Sequence, residues 1–432
     1  MDNNAGICTK EQESNIGVIK LGKYSIGLGD RFGHQGHAQL KAIIEAGRKG
    51  IDITPVWNKS NREHMIIGTL PSDVRIEADS AIKIAGYKKP YFVDADHINL
   101  DTVDRFISSS DFFTIDVASY IGKRATDSDI SSFLENTSKY VGKIEVQGIK
   151  KSLKCSSKQL ADITEKYLFA AKKAGEIYRK IEKSKGAGTF ITEVSMDEVA
   201  QPQTPVEMFF ILGMLGLEGV LLQTIAPKFS GRFNKGVDYA GDPLKFASEF
   251  EEDLMVVAFA VKEFGLPENL KISVHSGSDK FAIYPHIGSL LKKHNKGVHL
   301  KTAGTTWLEE VIGLAEAGGI ALDFVKEIYI HSIEKIEELC APYADVIDID
   351  TNGLPSAGEV SVWNGRKFAA SLRHDQGNPD YNPNMRQLIH VAYKLAAQKI
   401  DTYFQLLEEH EEVVSQCVFE NIYNRHIFRL FI

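Results

Sequence analysis

The chain has 432 residues, of which 43% are hydrophobic and 25% are charged, a composition typical of soluble globular proteins with a large core. A formal net charge of -8 argues against the basic surface on which nucleic-acid-binding proteins depend. The four cysteines are scattered and form no CxxC pair, which favours free thiols in a reducing compartment over a disulfide framework or a zinc knuckle.

The N-terminal segment and the lengths of the apolar runs give a prediction of localisation. The N-terminal segment is polar and lacks the apolar core of a signal peptide, and no apolar run approaches the roughly 18 residues of a membrane span. These features predict a cytoplasmic protein with no membrane or nucleic-acid partner. Residues 1–15 are predicted to form a disordered tail on composition alone.

Apolar runs that alternate with helical patterns predict the architecture. The predicted strands cover residues 16–29 (with a hairpin as an alternative for its start), 51–57, a run opening at 90–93, 111–118, 188–196, 219–229, 269–281 and 297–307. The predicted helices cover 37–50, 71–85, 100–108, 160–183, 205–215, 242–264 and 285–295. This alternation indicates parallel pairing, and eight repeats of it predict an α/β fold of the (β/α)8 TIM-barrel type.

Three segments depart from a simple barrel. Residues 344–351 also resemble a strand, so either this run or the first one must lie outside the barrel. Residues 119–187 are too long for one crossover and are predicted to form a helical insertion. We expect the catalytic barrel to span 16–352. Residues 353–432 are expected to form a loop and helices packed on it, including a long helix over about 383–412.

Reactive side chains follow nearly every predicted strand, at the end where parallel barrels carry their active sites. The stretch 92–100 is the densest case, because it brings Asp94, Asp96 and His97 within four residues. Such crowding is costly unless a cation, a substrate or solvent neutralises it. The remaining groups at strand ends are Asp30, Arg31, Asn58, Lys59, Asp116, Glu193, Lys228, His275, Ser276, His299 and Lys301.

Two histidines on neighbouring predicted strands make a metal site plausible. His275 and His299 each follow an apolar run, and a lone histidine in this position is more often a hydrogen-bonded core residue. Two of them facing carboxylates fit a mixed site for Zn, Mn, Ni or Co. The predicted metal ligands are Asp96, His97, His275 and His299. The glycines at 27, 29 and 33 miss the dinucleotide fingerprint by one residue, so no nicotinamide is expected.

Several long strings are more specific than any short motif. They are GDRFGHQGHAQLKAI, VWNKSNREH, FVDADHINLDTVDRFI and FFTIDVASYIGK, and weaker matches continue to about residue 393. Together they resemble the tagaturonate epimerase family of hexuronate catabolism. The resemblance implies a metal-dependent barrel enzyme that interconverts D-tagaturonate and D-fructuronate at C4. It also implies site residues at Asp94, Asp96, His275 and His299.

The chemistry of this substrate limits the mechanism. Counting from the hydroxymethyl end, the ketone is C2 and the carboxylate is C6, so the hydrogen on C4 is not acidic. Transient oxidation of C4 needs a nicotinamide, whereas retro-aldol cleavage between C3 and C4 needs a base, an acid and a Lewis acid. Catalytic candidates are Asp94, Asp96, Asp116 and Lys301. Substrate-binding candidates are Arg31, Asn58, Lys59, Glu193, Lys228, Arg373, His374 and Asp375.

Other functions fit the same residues. A metal-dependent aldolase, or a ketose isomerase acting on sugar acids, would use a similar site. A non-catalytic sugar-acid binding protein would bind without turnover, but it poorly explains two histidines beside so many acids. In each case the expected partner is a small hexuronate, and assembly into a homo-oligomer is left open.

Overall fold

The computed structural model describes residues 18–149 and 152–432, so the predicted tail lies outside the described residues. Eight parallel strands close into a barrel, and their order around it follows their order in the chain. The strands are Tyr24–Gly29, Ile53–Ser60, Phe92–Ile98, Phe112–Asp116, Ile191–Ser195, Thr224–Ala226, Lys271–Val274 and Val298–Ala303. The predicted barrel is therefore confirmed.

Side chains alternate between the interior and the exterior of the barrel. A small apolar cluster forms its floor, with Val56, Phe92, Phe112 and Ile191 from four strands. Because successive side chains on a strand point to opposite faces, the residue two positions after each of these shares the next layer upward. That layer is polar, and it leads to the carboxyl ends of the strands.

Helices surround the barrel and cover its outer face. Their starts follow local sequence signals: Ser60 and Thr204 each form a capping box with a glutamate three residues later. The helices up to the last strand are Gly36–Arg48, Asn61–Ile67, Pro71–Ala85, Asp127–Thr137, Ser157–Lys185, Pro205–Leu217, Pro243–Phe264 and Tyr284–His294. No helix in the described part of the chain is long and apolar enough to cross a membrane.

The C-terminal part is mainly helical and adds a second hydrophobic cluster beside the barrel. Its helices are Thr306–Ala317, Gly319–Glu334, Ile336–Cys340, Ala357–Ser361, Gly365–Leu372, Pro383–Val391, Tyr393–Ala397, Ile400–Glu409 and Glu411–Glu420. A π-helix over Asn421–Ile427 and a last turn over Phe428–Phe431 follow. The ring of Phe431 lies 4.8 Å from that of Tyr24, so the last residues pack against the first strand.

Three local predictions are wrong, and one hairpin was not predicted. Residues 344–351 form no strand, because the barrel is closed without them, and Gln387 instead bonds the backbone N–H and C=O of Asp348. The segment 100–108 contains only a 3-10 turn, Val103–Arg105. The long helix predicted over 383–412 is broken into four. The insertion also contains an antiparallel hairpin, Gly142–Ile144 with Leu153–Cys155, which was not predicted.

Candidate active site

A cavity of about 380 Å³ opens at the carboxyl ends of the barrel strands. Asn58, Asp96, His275 and Lys301 line it together, although they come from four different strands or strand ends. A second cavity of about 600 Å³ adjoins it and shares His275 in its wall. The barrel rule therefore locates the candidate site where the sequence analysis expected reactive groups.

A lysine lies at the bottom of the cavity among three carboxylates. Lys301 Nζ contacts Asp94 and lies 3.1 Å from Asp96 and 3.2 Å from Glu193, and Thr114 Oγ1 is a further contact. The strands that carry the carboxylates are not neighbours of the lysine's strand in the barrel. The lysine therefore spans the barrel interior. All of these side chains are buried or nearly so.

The three carboxylates differ in how readily they hold a proton. Burial raises the pKa of Asp94 to about 7, because the charges of Asp96 and Glu193 add to burial and outweigh the attraction of Lys301. Burial also opposes ionisation of Asp96, but Lys301 and His97 hold the pKa of that carboxyl far below its usual range. Lys301 and His275 do the same for Glu193. Asp94 is therefore the carboxyl suited to exchange a proton near neutral pH.

Two histidines and an aspartate form a second group at the cavity wall. One potential ligand atom from each of His97, Asp197 and His275 lies within 4.8 Å of the others. His275 Nδ1 is 3.2 Å and His97 Nε2 is 3.6 Å from Asp197 Oδ1. The opposite ring nitrogens face Glu193 and Asp96, each at 2.7 Å. Carboxylates that orient the rings of histidine ligands in this way are typical of metal sites.

The charges of this group fit a divalent cation. Burial disfavours the imidazolium of His275, but Asp197 and Glu193 together raise its pKa to about 9. The pKa of His97 is raised well above its usual value, against burial, by Asp96 and Asp197. The neighbouring carboxylates thus favour positive charge at both rings. Imidazole nitrogens with a carboxylate oxygen are donors that Zn, Mn, Ni and Co accept.

Two predicted ligands lie outside this group. Asp96 contacts Nδ1 of His97, the ring nitrogen opposite the one that faces Asp197, and so orients the ring. His299 is fully buried one layer below Lys301, with Nδ1 2.9 Å from Ser25 Oγ and its ring 5.4 Å from that of Phe112. Burial lowers the pKa of His299 to about 3. It lies deep because it is the second residue of its strand, whereas His275 follows the end of its strand.

The remaining predicted residues divide between the cavities and other places. Arg31, Asn58 and Asp116 line the smaller cavity, and Lys228 lines the larger one. Lys59 follows Asn58 on the same strand and therefore points to the outer face, where it is buried near Asp30.

The Arg-His-Asp loop at 373–375 does not reach either cavity. Arg373 Nη2 pairs with Glu316 at 2.9 Å. His374 is buried 3.6 Å from Asp279, outside the barrel interior. Asp375 is exposed. The structure therefore does not bring these three residues together with the other candidates.

Several residues that line both cavities were not singled out by sequence reasoning, among them Asp197 and Lys235. Asp197 comes two positions after a strand end, and its distance from that end was the available signal. Lys235 lies in the loop after the strand Thr224–Ala226, with no strand pattern before it to mark it.

Comparisons with known proteins point to one family. A family model described as tagaturonate epimerase matches residues 9–430. A tagaturonate/fructuronate epimerase from Thermotoga maritima is 29% identical over 422 residues, which are 93% of this chain and 80% of that protein.

Crystal structures of a fructuronate-tagaturonate epimerase from Cohnella laeviribosi are also similar. The structure with one bound glycerol is similar to this one with a TM-score of 0.79. The two sequences are 25% identical, and the match covers 94% of this chain and 81% of that one. The native crystal structure gives a TM-score of 0.77 at the same identity and coverage. The match to the family model over nearly the whole chain shows the family: the chain belongs to the tagaturonate epimerases, which are isomerases acting on carbohydrates.

Proposed function

We propose that this protein is a metal-dependent C4 epimerase that interconverts D-tagaturonate and D-fructuronate by retro-aldol cleavage and re-addition between C3 and C4. The observation that carries this proposal is the pairing, in one cavity, of the His97–Asp197–His275 group with carboxylates of unequal proton affinity around Lys301. The named activities of the similar proteins support the substrate pair.

The acid and base are assigned by environment. Asp96 and Asp116 both line the cavity, from neighbouring strands. Asp96 stays ionised beside Lys301 and His97, and it suits the base that takes the C4 hydroxyl proton. Burial raises the pKa of Asp116 despite the nearby His97, so Asp116 suits the acid that returns a proton to O4 after inversion. Groups whose environments push their pKa values apart commonly share acid and base work.

The other residues stabilise charge and hold the substrate. A divalent cation at His97, Asp197 and His275 would supply Lewis-acid chemistry to the oxygen-rich substrate. Lys301 provides a fixed positive charge near the negative charge that develops on the substrate. The neighbouring Asp94, with a pKa of about 7, can take up or release a proton beside this ammonium. Asn58 donates to Thr302 Oγ1 at 2.9 Å, which keeps its amide at the cavity wall. Arg31 lines the same wall and is a candidate to contact the substrate.

One experiment separates this proposal from its alternatives. Purified protein is incubated with D-tagaturonate in D2O, with and without a chelator, and the products are followed by NMR. We expect D-fructuronate without deuterium at C4, and loss of turnover with chelator that added divalent metal restores. Release of three-carbon fragments as the main products would indicate an aldolase, and binding without turnover a sugar-acid binding protein. Deuterium at C4 would exclude the retro-aldol route.

A further inference from the structure

Lys235 is a cavity lysine without a partner. Within residues 18–149 and 152–432, its ammonium makes no hydrogen bond and no ion pair, although it lines both cavities together with Asp197 and His275. Surface lysines without a partner are ordinary, but this one is half-buried in a cavity wall. A half-buried ammonium without a partner calls for an anion.

The loop around Lys235 is fixed by buried contacts. Lys280 Nζ donates to the carbonyls of Asn234 at 2.9 Å and Val237 at 2.8 Å, on either side of Lys235. Arg386 Nε donates to the carbonyl of Gly236. The backbone N–H of Lys235 itself donates to the carbonyl of Val346 at 2.8 Å. The position of this lysine in the cavity wall is therefore set by the fold.

Arg31 and Arg62 are the charged groups that influence Lys235 most. Burial and the nearby Arg31 and Arg62 lower its pKa, against the weaker influence of Glu63 and Glu198. Arg62 stacks on Tyr343 with its guanidinium carbon 4.8 Å from the ring centre, and it lines the same two cavities.

Arg31 is the more obvious anion ligand, but part of its guanidinium is already engaged. Its Nε pairs with Glu63 at 3.2 Å and its Nη2 donates to His390 at 3.0 Å. Its guanidinium also lies 4.3 Å from the ring centre of Tyr393. Lys235 therefore has more freedom than Arg31 to take a ligand.

The proposed reaction needs an anchor that tolerates rotation. In cleavage, the C4 hydroxyl loses its proton to a carboxylate and C4–O becomes a carbonyl. The C3–C4 electron pair forms a C2=C3 double bond, and the C2 ketone oxygen takes the negative charge, which gives the enediolate of the C1–C3 fragment. In re-addition, C3 attacks the other face of the C4 carbonyl and a proton returns to O4. The aldehyde fragment, C4–C6, must turn over between these steps while remaining bound through its carboxylate.

We infer that Lys235 binds the C6 carboxylate of the substrate and retains the C4–C6 fragment while that fragment turns over. This inference rests on the proposed epimerase function. An ammonium is a point charge with rotatable donors, whereas a guanidinium grips a carboxylate in one plane. A lysine therefore holds the charge of the fragment without fixing the face of its aldehyde.

The test compares charged and neutral ligands in the metal-loaded full-length enzyme. The variants are Lys235→Met, Lys235→Arg and, as a matched control, Lys245→Met at an exposed site outside both cavities. Steady-state kinetics with D-tagaturonate and with the uncharged D-tagatose give kcat and KM. Calorimetry with glycerate and with glycerol, a charged and a neutral three-carbon ligand, gives binding without turnover.

Lys235→Met should weaken glycerate binding and raise the KM for tagaturonate by roughly 10- to 100-fold, the range of a lost charge-assisted hydrogen bond. Glycerol binding and the kinetics with tagatose should change little. Lys235→Arg should keep glycerate binding and KM close to wild type but lower kcat, because the planar grip hinders rotation. Lys245→Met should resemble wild type throughout.

Equal losses with charged and neutral ligands in Lys235→Met would overturn the inference, as would unchanged glycerate binding. An unchanged kcat in Lys235→Arg would overturn the rotation role alone. A wild-type enzyme that binds glycerate through Lys235 but does not turn over tagaturonate would refute the proposed function and leave the carboxylate site standing. Failure of the two ideas is thus distinguishable.

Discussion

Two buried polar clusters lie at the same end of the barrel and contain nearly the same residue types. The open cluster consists of Asp94, Asp96, Glu193, Lys301 and the His97–Asp197–His275 group, and it reaches the cavities. The closed cluster consists of Asp279, His374, Arg386 and His426, none of which lines either cavity. Residue type alone therefore does not separate a reactive site from a structural one.

The partners of the two clusters explain the difference. In the closed cluster, Arg386 donates to the carbonyls of Gly236 and Leu372 and to Asp279 at 3.2 Å. His426 Nε2 accepts the backbone N–H of Asp279 at 3.0 Å and that of Gly304 at 3.2 Å.

In the closed cluster, Arg386 and His426 are thus bonded largely to backbone groups of the surrounding loops. The open cluster instead sets acids against one another, with one lysine between them. Conflicting charges are what tune a group for proton transfer, whereas side chains bonded to the backbone hold a loop in place.

The largest expected effect is on turnover in the open cluster. Asp94→Asn should lower kcat by about 10²–10⁴-fold, the usual contribution of a group that handles a proton, because an amide cannot buffer the proton beside Lys301 as the proposed role of Asp94 requires. The protein should remain folded, since Lys301 keeps Asp96 and Glu193 as partners. The measurement is steady-state epimerisation beside thermal unfolding, with Asp323→Asn at an exposed helix position as control. A kcat within tenfold of wild type would make Asp94 a structural residue like those of the closed cluster.

The closed cluster should respond in stability. Asp279→Asn leaves the fully buried Arg386 without its carboxylate, and breaking a buried pair costs about 3–5 kcal/mol of unfolding free energy. Turnover per folded molecule should stay near the wild-type value at low temperature. Urea-induced unfolding, together with activity normalised to the folded fraction, measures both quantities. A kcat loss as large as that of Asp94→Asn would remove the distinction between the clusters.

A smaller effect concerns pH. Burial lowers the pKa of His426 to about 4 against the pull of Asp279, whereas an unfolded histidine titrates near 6.5. The unfolded state therefore binds more protons between these values, so this contribution to stability is present above about pH 6.5 and is lost as the pH falls towards 4. The loss is roughly 3 kcal/mol at most. His426→Gln should unfold in urea with a correspondingly weaker pH dependence over this interval, and an unchanged dependence would assign it to other groups.

Much of the architecture could be predicted because barrel strands repeat one strong pattern. Eight apolar runs alternating with helical patterns correspond in order to the eight barrel strands, and only the ninth run, at 344–351, left the choice of strands open. The hairpin Gly142–Ile144 with Leu153–Cys155 was missed because three-residue strands carry too little pattern. The break-up of the region 383–412 had no warning in glycine or proline within it, and packing on the second hydrophobic cluster set the helix ends instead.

The site was harder to predict because it depends on how deep each residue lies in the barrel and on the strand face to which its side chain points. The alternation of side chains on a strand could have separated Asn58 from Lys59, since neighbours point to opposite faces. Depth in the barrel separates His299 from His275, and it follows from where each residue lies in its strand. No pattern of this kind could find Lys235, because its position depends on a loop held by distant partners.

The contact of His426 with two strand-end loops has a consequence for synthesis. The last barrel strand ends at Ala303, but the histidine that joins the loops at Asp279 and Gly304 is made much later in translation. At about 5–20 residues per second, the interval is on the order of ten seconds. During that time a nascent chain has every strand of the barrel but lacks the ring that fixes the loops beside the cavity. The barrel can therefore form on the ribosome well before these loops adopt their final geometry.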